Sequence, residues 1–294
     1  VAVCAPAGPV DPVRLDAGLA ILEQRYSVRV DRDGVLARSG YLAGDDDRRV
    51  HELNGYLADP DVRAIILVRG GYGITRILPQ LDAEALRADP VPIVAFSDGT
   101  ALLAWALAKA GVRGIHGPML GQLGELPVAE QEGLFELLEN TKAPGVVATG
   151  LTTMGQPGGG TLSGPLLGGN LCMLSHLIGT DVMPPMQGAL MFREDIGERP
   201  YAIDRYMTHL AAAGHMNELS GVVVGDFAHC GEPRIVDSPD AFAVVDERLR
   251  AVGLGGLQVP GIGHGASNRA LPFAGRSTVD LDSGSFSLDE AAVA

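Results

Sequence analysis

Residues Val91–Gly111, VPIVAFSDGTALLAWALAKAG, change period within a single turn. Val91, Ile93, Val94 and Phe96 read as a short buried strand, and from Thr100 the spacing is helical until Gly111, a glycine suited to a C-cap. Strand, tight turn and helix form the repeating unit of a parallel sheet covered by helices, and the preceding residues repeat it. VAVCAPAG (1–8) reads as a first strand ending in small residues. DPVRLDAGLAILEQR (11–25) reads as a helix with an Asp N-cap and proline at its first position, and YSVRV (26–30) as a second strand. An acidic-fronted helix, DDDRRVHELNGYLAD (45–59), leads to the apolar run VRAIILV (62–68), which stops at RGGYG (69–73). The N-terminal half is therefore α/β with a Rossmann-like or flavodoxin-like parallel sheet. Ligands of such sheets gather at the carboxyl ends of the strands, where RGGYG and FSD both lie.

Periodicity weakens after about Glu130, and TMGQPGGGTLSG (153–164) is rich in breakers. This divides the chain into a Rossmann-like domain over 1–140, a junction over 141–160 and a smaller, β-rich α+β domain over 161–294. Two helical stretches stand in the last part, 201–214 and 238–253, and GRSTVDLDSGSFSLDE (275–290) reads as a hairpin about an Asp-Ser-Gly turn.

The 294 residues suffice for two cores, and a mean hydropathy of +0.17 with 20% charged residues describes a folding, water-soluble chain. A formal charge of −14 opposes nucleic acid and anionic membrane surfaces as partners, so an anionic ligand needs a local cationic cluster. Three scattered cysteines, Cys4, Cys172 and Cys230, form neither a disulfide framework nor a metal motif, which favours a reducing compartment. No apolar run is long enough to span a bilayer. The chain starts at Val1 without methionine, which leaves room for a removed upstream segment.

At the turn, Ser97 has two uses open to it. It caps the helix, as Asp98 also could, or it is a nucleophile raised on a sharp elbow in an A-x-S-x-G setting, with Ala95 and Gly99 as small neighbours. A nucleophilic serine needs a base and an acid behind the base. Among seven histidines, His264 in VPGIGHGASN sits between glycines just after a short apolar strand, a common catalytic placement. His116 in IHGPM follows a strand and either lines the cleft or is structural. FREDIGERPYAIDR (192–205) offers four carboxylates, Glu194, Asp195, Glu198 and Asp204, any one of which could orient an imidazole. RGGYG lacks the marks of a phosphate loop, and the other use of such a turn is to aim backbone N–H groups at an oxyanion.

Taken in order, RGGYG, FSDGTAL, HGP, GGNL, EDIGERPYAIDR and GIGHG resemble the LD-carboxypeptidase family of serine peptidases over nearly the whole chain. That family includes muropeptide carboxypeptidases and microcin C7 self-immunity peptidases. The resemblance implies a metal-free and cofactor-free Ser-Glu-His triad between two domains: Ser97 as nucleophile, Glu198 of GERPY as acid and His264 as base. It implies an oxyanion hole from the N–H groups of Asp98 and Gly71, with Gly70 the alternative. Two positions depart from the family pattern, Ala95 where glycine is common and Gly99 where a larger apolar residue is usual. The implied activity is release of the terminal D-alanine from cytoplasmic muropeptide tetrapeptides by a homodimer. Arg69, Arg193, Arg205 and His116 are the candidates for holding that small anionic peptide. The alternatives are an aminoacyl-nucleotide amide as substrate, which calls for an aromatic loop residue, or a non-catalytic ligand-binding domain.

Overall fold

The structure is a computed structural model and describes residues 1–293. Its first five strands are β1 (Ala2–Cys4), β2 (Arg29–Val30), β3 (Ile65–Leu67), β4 (Ile93–Ala95) and β5 (Gly114–His116). They are all parallel, in the order 2-1-3-4-5, the flavodoxin-like winding, and β1, β3 and β4 are buried along their whole length. The helix Pro12–Leu22 starts as its sequence dictates: Asp11 accepts from the Val13 and Arg14 N–H groups, and Pro12 occupies the first helical position.

The second sheet takes β6 (Gly145–Ala148), β7 (Thr152–Gly155), β8 (Thr161–Asn170), β9 (Leu190–Ile196), β10 (Gly221–Ala228) and β11 (Gly255–Gln258). After β12 (Leu271–Phe273) it also takes β13 (Arg276–Asp280) and β14 (Ser285–Leu288). Its order is 6-14-13-8-9-10-11-7, with a parallel centre from β8 to β11 and antiparallel flanks. The hairpin foreseen near the C-terminus is β13–β14, in which Val279 pairs with Phe286. The stretch read as a junction, 141–160, supplies both edge strands, β6 and β7.

β12 crosses over. Leu271 pairs antiparallel with His116, so the far end of the chain completes the first sheet beside β5. The loop just before β12 carries His264, which is thereby fixed near the carboxyl end of β4.

Candidate active site

Ser97 follows β4 and an extended Phe96, and it holds φ +60°. Few non-glycine residues adopt that region, and at a strand-to-helix turn it lifts the side chain off the helix start. Ser97 makes no capping bond, and the Gly99 N–H instead bonds the Phe96 carbonyl at 2.9 Å. The two departures at 95 and 99 are one adjustment: a Cβ on Gly99 would lie 2.6 Å from the Ala95 methyl. The methyl at 95 is tolerated because 99 has none.

Gly70 abuts the serine. A side chain there would sit 2.9 Å from Ser97 Cβ, 3.0 Å from its Oγ and 3.3 Å from the Asp98 nitrogen. The Gly70 carbonyl accepts from the Gly8 N–H at 3.1 Å, so the next N–H across the planar peptide, that of Gly71, points away from Gly8. Gly71 itself holds φ +116°. The Asp98 N–H lies in the first turn of a helix, where backbone donors lack intrahelical partners.

The Asp98 side chain has a separate task, invisible in the sequence. It is buried, and its Oδ2 accepts the Ile74 N–H at 3.0 Å, tying the end of RGGYG to the serine turn. Burial pushes its carboxyl upward, against the Ile74 N–H and the nearby Arg49 charge, which pull it down. The fully buried Arg49 guanidinium donates to the Pro6 carbonyl at 2.5 Å and to the Gly73 carbonyl at 2.9 Å, clamping the same loop from below. Losing this latch misplaces donors by fractions of an ångström, which costs rate more than binding. Asp98→Ala is expected to lower kcat by about 10–100-fold with little change in KM, and Asp98→Asn, which keeps an acceptor, by less. Steady-state kinetics on both variants check this; a KM effect with kcat intact would contradict it.

His264 Nδ1 lies 2.6 Å from Glu194 Oε2, the carboxylate having no exposed surface and the imidazole 13%. A carboxylate can only accept, so Nδ1 carries the proton and Nε2 is left free. The flanking glycines are demanded by what lies against them. A Cβ on Gly263, at φ +107°, would fall 2.3 Å from Glu194 Oε2, and one on Gly265 2.3 Å from Asp226 Oδ2. Asp226 holds the loop by accepting the Gly261 N–H. The His264 ring packs on Phe96, the residue before Ser97, with centroids 4.6 Å apart.

The acid position thus differs from the one expected. Glu198 does not reach His264; it lies past the end of β9 and the turn at Gly197, beside the Cys172 thiol and the Tyr206 hydroxyl. Glu194 is still within β9, at the sheet centre, opposite Asn170 of β8. Its neighbour Asp195 accepts from Asn170 Nδ2 and from the Cys172 and Ile196 N–H groups, and the Asn170 N–H bonds Thr100 Oγ1. GGNL therefore sews the second sheet to the helix behind Ser97, and a side chain on Gly169 would strike Thr100.

The remaining candidates scatter. His116 has no exposed surface and both ring nitrogens lack partners; it packs among Phe96 and Phe192 and does not line the cleft. Arg193 is fully buried against Met191, without a carboxylate, and burial lowers its pKa to about 10. Arg205 lies over the Tyr201 ring on the helix Pro200–Ala212. Arg69 alone of these is exposed and at the glycine loop: it donates to the Pro9 carbonyl and its Nη2 lies 3.6 Å from the Cβ position of Gly71.

Burial of His116 has a measurable consequence. Its pKa falls from 6.5 to about 3, chiefly by desolvation and then by the His264 charge. The stability this neutral ring contributes is complete above pH 6.5 and is lost as pH falls toward 3, at about 1.4 kcal/mol per pH unit. Asp195 runs the other way. Burial and Glu194 raise it from 3.8 to about 6, so the folded chain holds a proton the unfolded chain has released, and stability rises as pH drops through that window. The two oppose each other between about pH 4 and 6, and His116→Leu is expected to uncover the Asp195 limb as stability that climbs on acidification. Urea unfolding from pH 4 to 7 checks it; an unchanged slope would contradict it.

These features set the His264–Glu194 pair beside the serine turn at the carboxyl end of β4, and sequence comparison gives the family of the chain. The LD-carboxypeptidase N-terminal domain profile matches residues 1–117 and the C-terminal domain profile residues 163–279; the chain belongs to this peptidase family. It is 38% identical to a putative carboxypeptidase of Streptomyces coelicolor, covering 100% of this chain and 94% of that protein. It is 32% identical to the murein tetrapeptide carboxypeptidase of Pseudomonas aeruginosa, over 93% and 90% respectively. Among solved structures, the muramoyltetrapeptide carboxypeptidase of Oxalobacter formigenes superposes with a TM-score of 0.84 at 28% identity, covering 99% of this chain and 98% of that one. The wild-type microcin C7 self-immunity protein superposes at 0.86 and 21% identity, over 100% and 96%, a likeness of fold. No helix among the described residues is long and apolar enough to cross a membrane.

Proposed function

We propose that the chain is a serine carboxypeptidase that removes the terminal D-alanine from muropeptide tetrapeptides, with Ser97 as nucleophile, His264 as base and Glu194 as the acid behind it. One observation carries the reading: a fully buried carboxylate fixes Nδ1 of a largely buried histidine whose ring lies against Phe96, next to a serine at positive φ. His264 Nε2 takes the Ser97 proton as Oγ attacks the scissile carbonyl, and Glu194 stabilises the imidazolium. The Asp98 and Gly71 N–H groups receive the oxyanion. His264 then returns the proton to the leaving amine, the C–N bond breaks, and water hydrolyses the acyl-serine by the same path in reverse. Arg69 is the cation assigned to the substrate carboxylate, since it is exposed beside the glycine loop while Arg193 is buried and Arg205 is stacked on Tyr201.

The muropeptide is favoured by the similarity to murein tetrapeptide carboxypeptidases. An aminoacyl-nucleotide amide is the second choice, because the aromatic residue it would use is not supplied by Trp105, which is 2% exposed in the core. In the favoured reading the enzyme serves peptidoglycan recycling in the cytoplasm and acts as a homodimer. Mass spectrometry of tetrapeptide after incubation with the protein tests the activity: loss of one D-alanine is expected, and unchanged mass with free and MurNAc-bearing tetrapeptide alike would remove the proposal.

A further inference from the structure

Two tyrosines at and beside the glycine loop are exposed, and no described residue covers them. Tyr72 is the aromatic of RGGYG, two residues from the glycine that touches Ser97, and is 47% exposed; Tyr41 is 66% exposed. Their rings meet edge to face, with centroids 5.7 Å apart and planes at 61°.

Tyr41 is displayed rigidly. Ser39 and Leu42 exchange both backbone hydrogen bonds, so Gly40, at φ +60°, and Tyr41 form the tip of a two-residue turn. The Ala43 N–H ties this turn to the Ala7 carbonyl, and the buried Leu42 side chain packs at Gly73, where a Cβ would lie 2.6 Å from it. Nearby, Asp46 binds both Arg76 and Arg49. The ordering entropy of an aromatic platform is thus met by the fold before any ligand arrives.

We infer that Tyr41 and Tyr72 form a carbohydrate subsite that receives the sugar ring of a glycan-bearing peptide, resting on the muropeptide reading above. Three points support it. The 61° angle makes an open corner that suits a puckered pyranose, whereas a flat base is best held in a parallel slot. Tyrosine joins an apolar face to a hydroxyl, which matches the C–H face and hydroxyl rim of a sugar. The reach also fits. Three peptide residues separate the scissile bond from the sugar, about 10 Å when extended, and Tyr72 lies within about 7 Å of Gly70 along the chain.

The test compares tetrapeptide with MurNAc-tetrapeptide for wild type, Tyr41→Ala and Tyr41→Phe. For Tyr41→Ala, KM on MurNAc-tetrapeptide is expected to rise about tenfold while both constants on free tetrapeptide move less than about twofold, and Tyr41→Phe, which keeps the ring and loses only the hydroxyl, is expected to raise that KM by less. Equal losses on the two substrates, or none on either, overturn the subsite. A second arm is independent of turnover: saturation-transfer NMR with N-acetylmuramic acid alone should show contact at the ring protons in wild type and none in Tyr41→Ala. If wild type cleaves neither peptide, the muropeptide reading falls and this arm still decides the subsite. No saturation transfer to the sugar, or its displacement by equimolar adenosine monophosphate, overturns the carbohydrate assignment.

Discussion

Replacing Ser97 with alanine is expected to lower kcat by roughly 10⁴-fold or more and to leave a folded protein. The residual rate over water comes from backbone donors and binding, which the substitution does not touch. No core volume is lost, because the side chain lies at a turn whose tight packing is set by Gly70 and Gly99. Alanine inherits the positive φ, so stability changes little; Ser97→Gly relieves it and should stabilise by about 1 kcal/mol while being equally inactive. Single-turnover kinetics and urea unfolding on both variants measure the pair. Retention of more than a few per cent of wild-type turnover in Ser97→Ala would sink the assignment.

The second large effect separates two glutamates four residues apart. Glu194→Gln keeps shape but exchanges an obligate acceptor for a group that can also donate, so Nδ1 is no longer held protonated and the imidazolium loses its counter-charge. A loss of about 10⁴ in kcat is expected, the size seen when a triad acid becomes its amide. Glu198→Gln should stay within about threefold of wild type, because that side chain faces Cys172 and Tyr206 rather than His264. If Glu198→Gln were the inactive one, the geometry drawn above would be wrong at its centre.

Glu198 came from the family resemblance, which carries the acid onto GERPY, while the residues themselves left Glu194, Asp195, Glu198 and Asp204 open. Strand alternation from Leu190 and Phe192 leads to Glu194 on the same face, toward His264. Period-2 counting through the charges would have found the residue. The flavodoxin-like half was legible because each of its elements carries its own local signal: an Asp cap, a proline at the first helical position, buried β-branched runs. GIGHG was legible because glycines on both sides of a histidine have few uses. The latch from Asp98 to Ile74, the clamp of Arg49 and the stitch from Asn170 to Thr100 were not, since each joins residues 24 to 70 positions apart and depends on where two loops meet. The eight-stranded sheet was similarly hidden, because its edge strands come from the junction over 141–160, where periodicity is weak.

The crossing of β12 into the first sheet bears on how the protein comes off the ribosome. Until Leu271–Phe273 is available, the strand ending in His116 has an open edge, and the sheet that presents Ser97 is incomplete. His264 emerges only a few residues earlier. Sheet closure and delivery of the histidine are therefore coupled events, and a nascent chain stalled between Ser97 and His264 presents the serine without the histidine. The same crossover means that cutting between the two sheets does not yield two intact pieces, so thermal unfolding should proceed as one transition.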